Sequence, residues 1–127
     1  LRGFIGLEAS VPLWFEEGVA TMQERGRRHL ARRQVRQALS NKTFIPLDSL
    51  SDIDIRGEKE EPKVRLFYNE ALMVIIFLID RFGRDKFVNL CRSIRDGKNF
   101  EEALSDTYYG RTLEQLNKEF IKYMRSK

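Results

Sequence analysis

At 127 residues, 42% hydrophobic and 33% charged, the chain has the apolar content of one folded domain and lies outside the disordered class. Its 23 Lys and Arg against 19 Asp and Glu leave a net charge of +4, well short of a chain that coats nucleic acid. One cysteine and one histidine exclude an internal disulfide, a Cys-rich zinc module and any metal site built on two histidines of this chain.

The chain opens on Leu rather than Met, which predicts a processed protein or a piece of a longer one. Residues 1–9 are apolar with two isolated charges, Arg2 and Glu8, and show no charged leader, apolar run and cleavage site of the signal-peptide kind. Pro12 suits the first turn of a helix, with Ser10 or Val11 just before it. This helix is predicted over 13–24, burying Trp14, Val19 and Met22 and stopping at Gly26. A second helix is predicted over 27–39, ended by Ser40-Asn41-Lys42. Residues 43–62 break the pattern with Pro46, Asp48-Ser49, Asp52, Asp54 and Gly57, and read as a long connection with one helical turn near Ser49. A connection of that length in a small domain is a candidate functional or partner-covering segment.

The strongest helix is predicted over 64–82, where Ala71 to Ile79 is apolar on every side and so belongs at the centre of the core. That run is also the longest apolar stretch, far below the roughly 20 residues that cross a bilayer. Gly83 ends the helix, and another follows over 85–94 with Phe87, Val88, Leu90, Cys91 and Ile94 at helical spacing. Asn99 caps a short helix that buries Phe100, Ala103, Leu104 and Tyr108. Thr112 caps the last one with Gln115 three residues on, ahead of a stripe of Leu113, Leu116, Phe120, Tyr123 and Met124. No period-two alternation persists, so the fold class is all-α, a compact bundle of about five to six helices.

Several groups of residues carry possible chemistry. Arg25, Arg27, Arg28, Arg32, Arg33 and Arg36 form a basic run without an acid among them. The run reads as a solvated face balanced by the acids of 48–61, or as the face of a non-catalytic module that binds an acidic protein or nucleic acid. No aromatic interleaving accompanies it, which disfavours nucleic acid. His29, inside this run, lacks a second ligand and reads as a surface residue; Cys91, on an apolar helix face, reads as an inert buried thiol. Glu16 and Glu17 are adjacent acids about 100° apart on their helix. They serve as first-turn acids complementing the helix dipole, or one of them turns inward and requires a compensating partner.

The string Trp14-Phe15-Glu16-Glu17-Gly18-Val19-Ala20 resembles the W-x-x-E-G-x-A segment of gluzincin metallopeptidases, the thermolysin-like and aminopeptidase-like group known as peptidase MA-like. Tyr68-Asn69-Glu70-Ala71, with the apolar helix ending Leu78-Ile79-Asp80-Arg81-Phe82-Gly83, is similar to that family's Y-x-x-G/A segment, with Ala71 where Gly is usual. Phe87, Asp96-Gly97, Phe100-Glu101-Glu102-Ala103-Leu104, Tyr109-Gly110 and Leu113-Glu114-Gln115-Leu116 resemble the distal part, so the similarity spans about residues 11–125.

The resemblance implies a zinc-dependent peptidase acting on peptide or protein substrates. Glu17 would be the third zinc ligand, beside two histidines of an H-E-x-x-H helix whose Glu is the general base. Tyr68 would be the catalytic hydrogen-bond donor to the developing oxyanion. Such a zinc lowers the pKa of its water to about 7 and polarises the scissile carbonyl. This sequence has no H-E-x-x-H. The expectation is therefore a single helical unit, 1–127, that is part of a larger metallopeptidase domain. It would divide into a third-ligand helix (1–24), a loop bordering the substrate cleft (43–62) and a helical core (64–125). Alone it would bind no zinc and catalyse nothing, and its open apolar face near Trp14 would permit self-association. The same resemblance implies a bacterial and exported or cell-envelope parent.

Overall fold

The computed structural model describes residues 11–24 and 26–126. The readings made for 1–9, Ser10 and Arg25 lie outside the described residues. Seven α-helices occupy the described chain, with no strand among them. They are α1 (Leu13–Met22), α2 (Arg27–Asn41), α3 (Leu47–Leu50), α4 (Glu61–Phe82), α5 (Arg84–Arg95), α6 (Phe100–Thr107) and α7 (Leu113–Arg125). The all-α bundle is thus as expected, with the turn near Ser49 appearing as α3.

α4 is the axis of the fold, because a helix that is apolar on all sides must be covered on all sides. Ala71 to Leu78 are buried without a break, and α1, α2, α5 and α7 all pack on this helix. α6 packs on α5, and α3 on α7. α4 begins at Glu61, earlier than its apolar pattern, because Pro62 is accommodated in the first turn, where a missing N–H costs nothing.

The helix ends follow local chemistry. Thr112 and Gln115 form a reciprocal capping box, and the Asn99 side chain accepts the N–H groups of Glu101 and Glu102. Pro12 stands just before α1 rather than within it, with its carbonyl accepting the Phe15 N–H at 3.1 Å. Lys42 closes α2 in the left-handed conformation at φ 62°, while Thr43 N–H reaches back to the Ala38 carbonyl at 2.9 Å.

The tightest inter-helix approach is α1 on α4. A Cβ built on Gly18 would lie 2.5 Å from the Ala71 carbonyl oxygen and 2.7 Å from Ile75 Cγ1. Only glycine permits that approach, and Ala71 keeps the facing surface low. Beside this seam Trp14 and Phe15 enter an aromatic corner. Phe15 sits 5.3 Å from Phe100 and 5.9 Å from Phe87, and Trp14 lies edge-on to Phe100 at 6.0 Å. The Trp14 indole N–H donates to Ser51 Oγ at 2.8 Å, tying α1 to the end of α3. Trp14 is 1% exposed, so the open apolar face expected near it is covered; the exposed large hydrophobics among the described residues are Leu30 and Tyr109.

The 43–62 connection is more ordered than its composition suggests. Besides α3 it carries a 3-10 turn, Ile55–Gly57, and buries Leu47, Leu50 and Ile55. Two side chains from the bundle hold its start. Glu70 Oε1 accepts the Ile45 N–H at 2.8 Å, and Asn117 Oδ1 accepts the Leu47 N–H at 3.0 Å.

The close seam yields a test. Gly18→Ala should destabilise the chain by about 1–3 kcal/mol, since overpacking against backbone outweighs the roughly 1 kcal/mol of helix propensity it gains. Gly57→Ala, where a Cβ meets nothing within 4 Å, should shift the urea midpoint by less than about 0.5 kcal/mol equivalent.

Candidate functional site

α1 brings its acids to the edges of its buried stripe. Trp14, Phe15, Gly18 and Val19 face the core, and Glu16 and Glu17 flank them, both half-buried. Neither acid is fully buried. Glu17 keeps access to water, and its burial alone demands no cation.

Tyr68 stands on α4 one turn before Ala71, the residue that meets Gly18. Its ring is half-buried, edge-on to Phe67 at 5.5 Å. Burial pushes the phenol above its ordinary value, and the Glu17 carboxylate adds to that push. The α1–α4 seam thus sets Glu17 and Tyr68 within electrostatic reach of each other. Both causes disfavour phenolate, so Tyr68 keeps its proton, and with it a hydrogen bond to give, throughout the neutral range.

Arg56, in the 3-10 turn, joins the same neighbourhood. Its Nε and Nη2 each donate to Asp54 at 2.8 Å, and that pairing raises the guanidinium pKa first, with smaller contributions from Glu16 and Glu17. Asp54 is correspondingly held down at about 2. An open hollow of about 320 Å³ lies between α1 and this turn, with Leu13, Glu16, Asp54 and Arg56 in its wall. Sequence reasoning placed the connection at the cleft border but did not single out Arg56. No motif marks it, and only the turn carries it back to α1.

The remaining candidates fall away from this neighbourhood. Cys91 is buried and its thiol pushed up to about 12 by desolvation, so it stays protonated. His29 is exposed. In the arginine run, Arg28 Nη2 bonds Asp80 Oδ2 at 2.6 Å, Arg27 pairs with Glu24 at 3.3 Å, and Arg32 donates to the Tyr123 hydroxyl at 3.1 Å. Of the acids of 48–61, Asp54, Glu58 and Glu61 pair locally with Arg56, Lys63 and Arg65, and Arg28 and Arg27 of the run are met instead by Asp80 and Glu24. Among the described residues no set of three His, Cys, Asp or Glu side chains converges as a metal requires. No helix among them is long and apolar enough to cross a membrane.

The first described helix and the central helix thus meet at a glycine, with a carboxylate and a phenol near that contact. The chain belongs to the peptidase MA superfamily, whose family model matches residues 5–126. No curated protein and no solved structure matches it.

The coupling across the seam is testable on this chain alone. Glu17→Gln should lower the Tyr68 pKa toward the ordinary phenol value of about 10, because one of its two raising causes is removed. Tyrosine Cζ NMR titration reads the change, and Glu114→Gln, in the first turn of α7, serves as a control that leaves Tyr68 where it was.

Proposed function

We propose that this chain is the helical, C-terminal portion of a zinc-dependent metallopeptidase of gluzincin type, with Glu17 as the third zinc ligand and Tyr68 as oxyanion donor. The observation that carries the reading is the family match over residues 5–126, with Glu17 beside Gly18 at the close α1–α4 contact and Tyr68 one turn before Ala71. Membership in the peptidase MA superfamily supports peptide-bond hydrolysis as the activity of the parent.

The residues present do not amount to a zinc site. With one histidine, exposed on α2, and no H-E-x-x-H, this chain offers a single carboxylate ligand and no general base. In this reading it neither holds catalytic zinc nor hydrolyses peptides alone. What it contributes is its own chemistry. Glu17 places a negative charge at the seam, and Tyr68 holds a proton at its hydroxyl for an oxygen on which charge develops.

The full reading frame tests this. It should encode H-E-x-x-H upstream of Leu1, and the purified protein should carry one zinc per chain and cleave peptides. Glu17→Ala should lose the metal by elemental analysis. Tyr68→Phe should keep it and lower kcat by roughly 10²–10³-fold, as loss of one oxyanion donor does. A reading frame without the histidine motif, or a Glu17→Ala protein that retains its zinc, overturns the proposal.

A further inference from the structure

Glu70 is a fully buried ionisable side chain that the peptidase reading does not use. It is 0% exposed on α4. One carboxyl oxygen accepts the Ile45 N–H at 2.8 Å, and the other, Oε2, has no partner. Next to it, Asn69 on α4 donates to Gln34 on α2. An open hollow of about 500 Å³ runs between the second half of α2, the start of the connection and the first turns of α4, with Ala38, Thr43, Ile45 and Leu66 in its wall. Leu66 and Glu70 are one turn apart on one face of α4, and Tyr68, midway between them, is turned about 200° from either. The hollow is therefore on the far side of α4 from the candidate site.

No counter-charge meets the carboxyl. Its one hydrogen-bond partner, Ile45, is neutral, and the residues of the packed elements nearest that contact in sequence, Gln34 and Ala38 of α2, Phe44 of the connection and Asn117 and Phe120 of α7, are neutral as well. Of the charged groups nearest in sequence to these, Arg33, Arg36, Lys42, Lys63, Arg65 and Lys118 are exposed, Lys63 and Arg65 pair with Glu58 and Glu61, and Glu119 pairs with Arg111. Burial pushes Glu70 up to about 8, against a smaller opposite pull from the Ile45 N–H. No other group contributes.

We propose that Glu70 is a protonation-dependent latch: as a neutral acid it holds Ile45 against α4, and as a carboxylate it releases residues 43–46 and opens the hollow beside them. Ionisation would leave a charged oxygen without a partner in a low-dielectric interior. The nearest relief is to admit water by moving 43–46, which has no helix of its own. The fold raises this pKa, so the closed arrangement is complete below the ordinary carboxylate value and is lost as pH rises through about 8. The inference is independent of the peptidase reading.

Hydrogen exchange followed by NMR between pH 6 and pH 10, with the Glu70 carboxyl carbon titrated in the same sample, tests the latch. After correction for intrinsic exchange, Ile45 protection should fall roughly tenfold per pH unit from pH 6 up to the Glu70 midpoint and level off above it. The Leu47 amide, held by Asn117, which does not titrate, should keep its protection. Glu70→Gln should make the Ile45 profile flat. Equal pH profiles in wild type and variant, or parallel loss at Ile45 and Leu47, overturn the latch. Should the variant not fold, wild type alone decides: a Glu70 midpoint in the ordinary carboxylate range, or Ile45 protection unchanged through the midpoint, overturns it.

Discussion

The absence of one side chain, at Gly18, sets the spacing of the whole bundle. With hydrogen in place of a methyl group, α1 lies with its backbone against the Ala71 carbonyl of α4. The neighbours of Gly18 are packed around that contact. Trp14 and Phe15 fill the corner made by Phe87 and Phe100, the Trp14 indole reaches Ser51, and Glu17 arrives near Tyr68. A larger residue at 18 would lift α1 off α4 and disturb packing, connection and site together.

Around that seam the charges are arranged by pairing rather than by number. Asp54 occupies the forked edge of Arg56, so that Arg56 meets Glu16 and Glu17 as an already partnered cation. Three arginines of α2 are engaged with Asp80, Glu24 and Tyr123, and Arg33 and Arg36 remain exposed on the face that the binding-module reading would need. Tyr123 also donates to Asp80 at 2.8 Å, so α2, α4 and α7 are clasped at one end through one small polar cluster.

Much of the bundle was legible from local pattern. The capping box at Thr112, the Asn99 cap, the buried stripe of α7 and the wholly apolar centre of α4 each depend on residues within a turn or two of one another. The connection was harder to read. Its Pro, Asp and Gly content looks structureless, yet Leu47, Leu50 and Ile55 are buried against helices distant in sequence. Glu70 left a faint trace, an acid at a core-facing position between Leu66 and Met73. Nothing local showed whether it would be paired, hydrated or sealed in.

The sequence by itself determined where the helices lie, which of them is central, and the family to which the chain belongs. Those properties rest on periodicity, on caps and on short ordered motifs that survive without coordinates. The tertiary structure alone decided that Glu17 stays half-buried, that Arg56 returns to α1, which acids answer the arginines, and that Glu70 is buried with one oxygen unpartnered. Each of these is a matter of distance between groups far apart in the chain. Charge, hydration and acidity depend on that distance, and helical pattern carries no record of it.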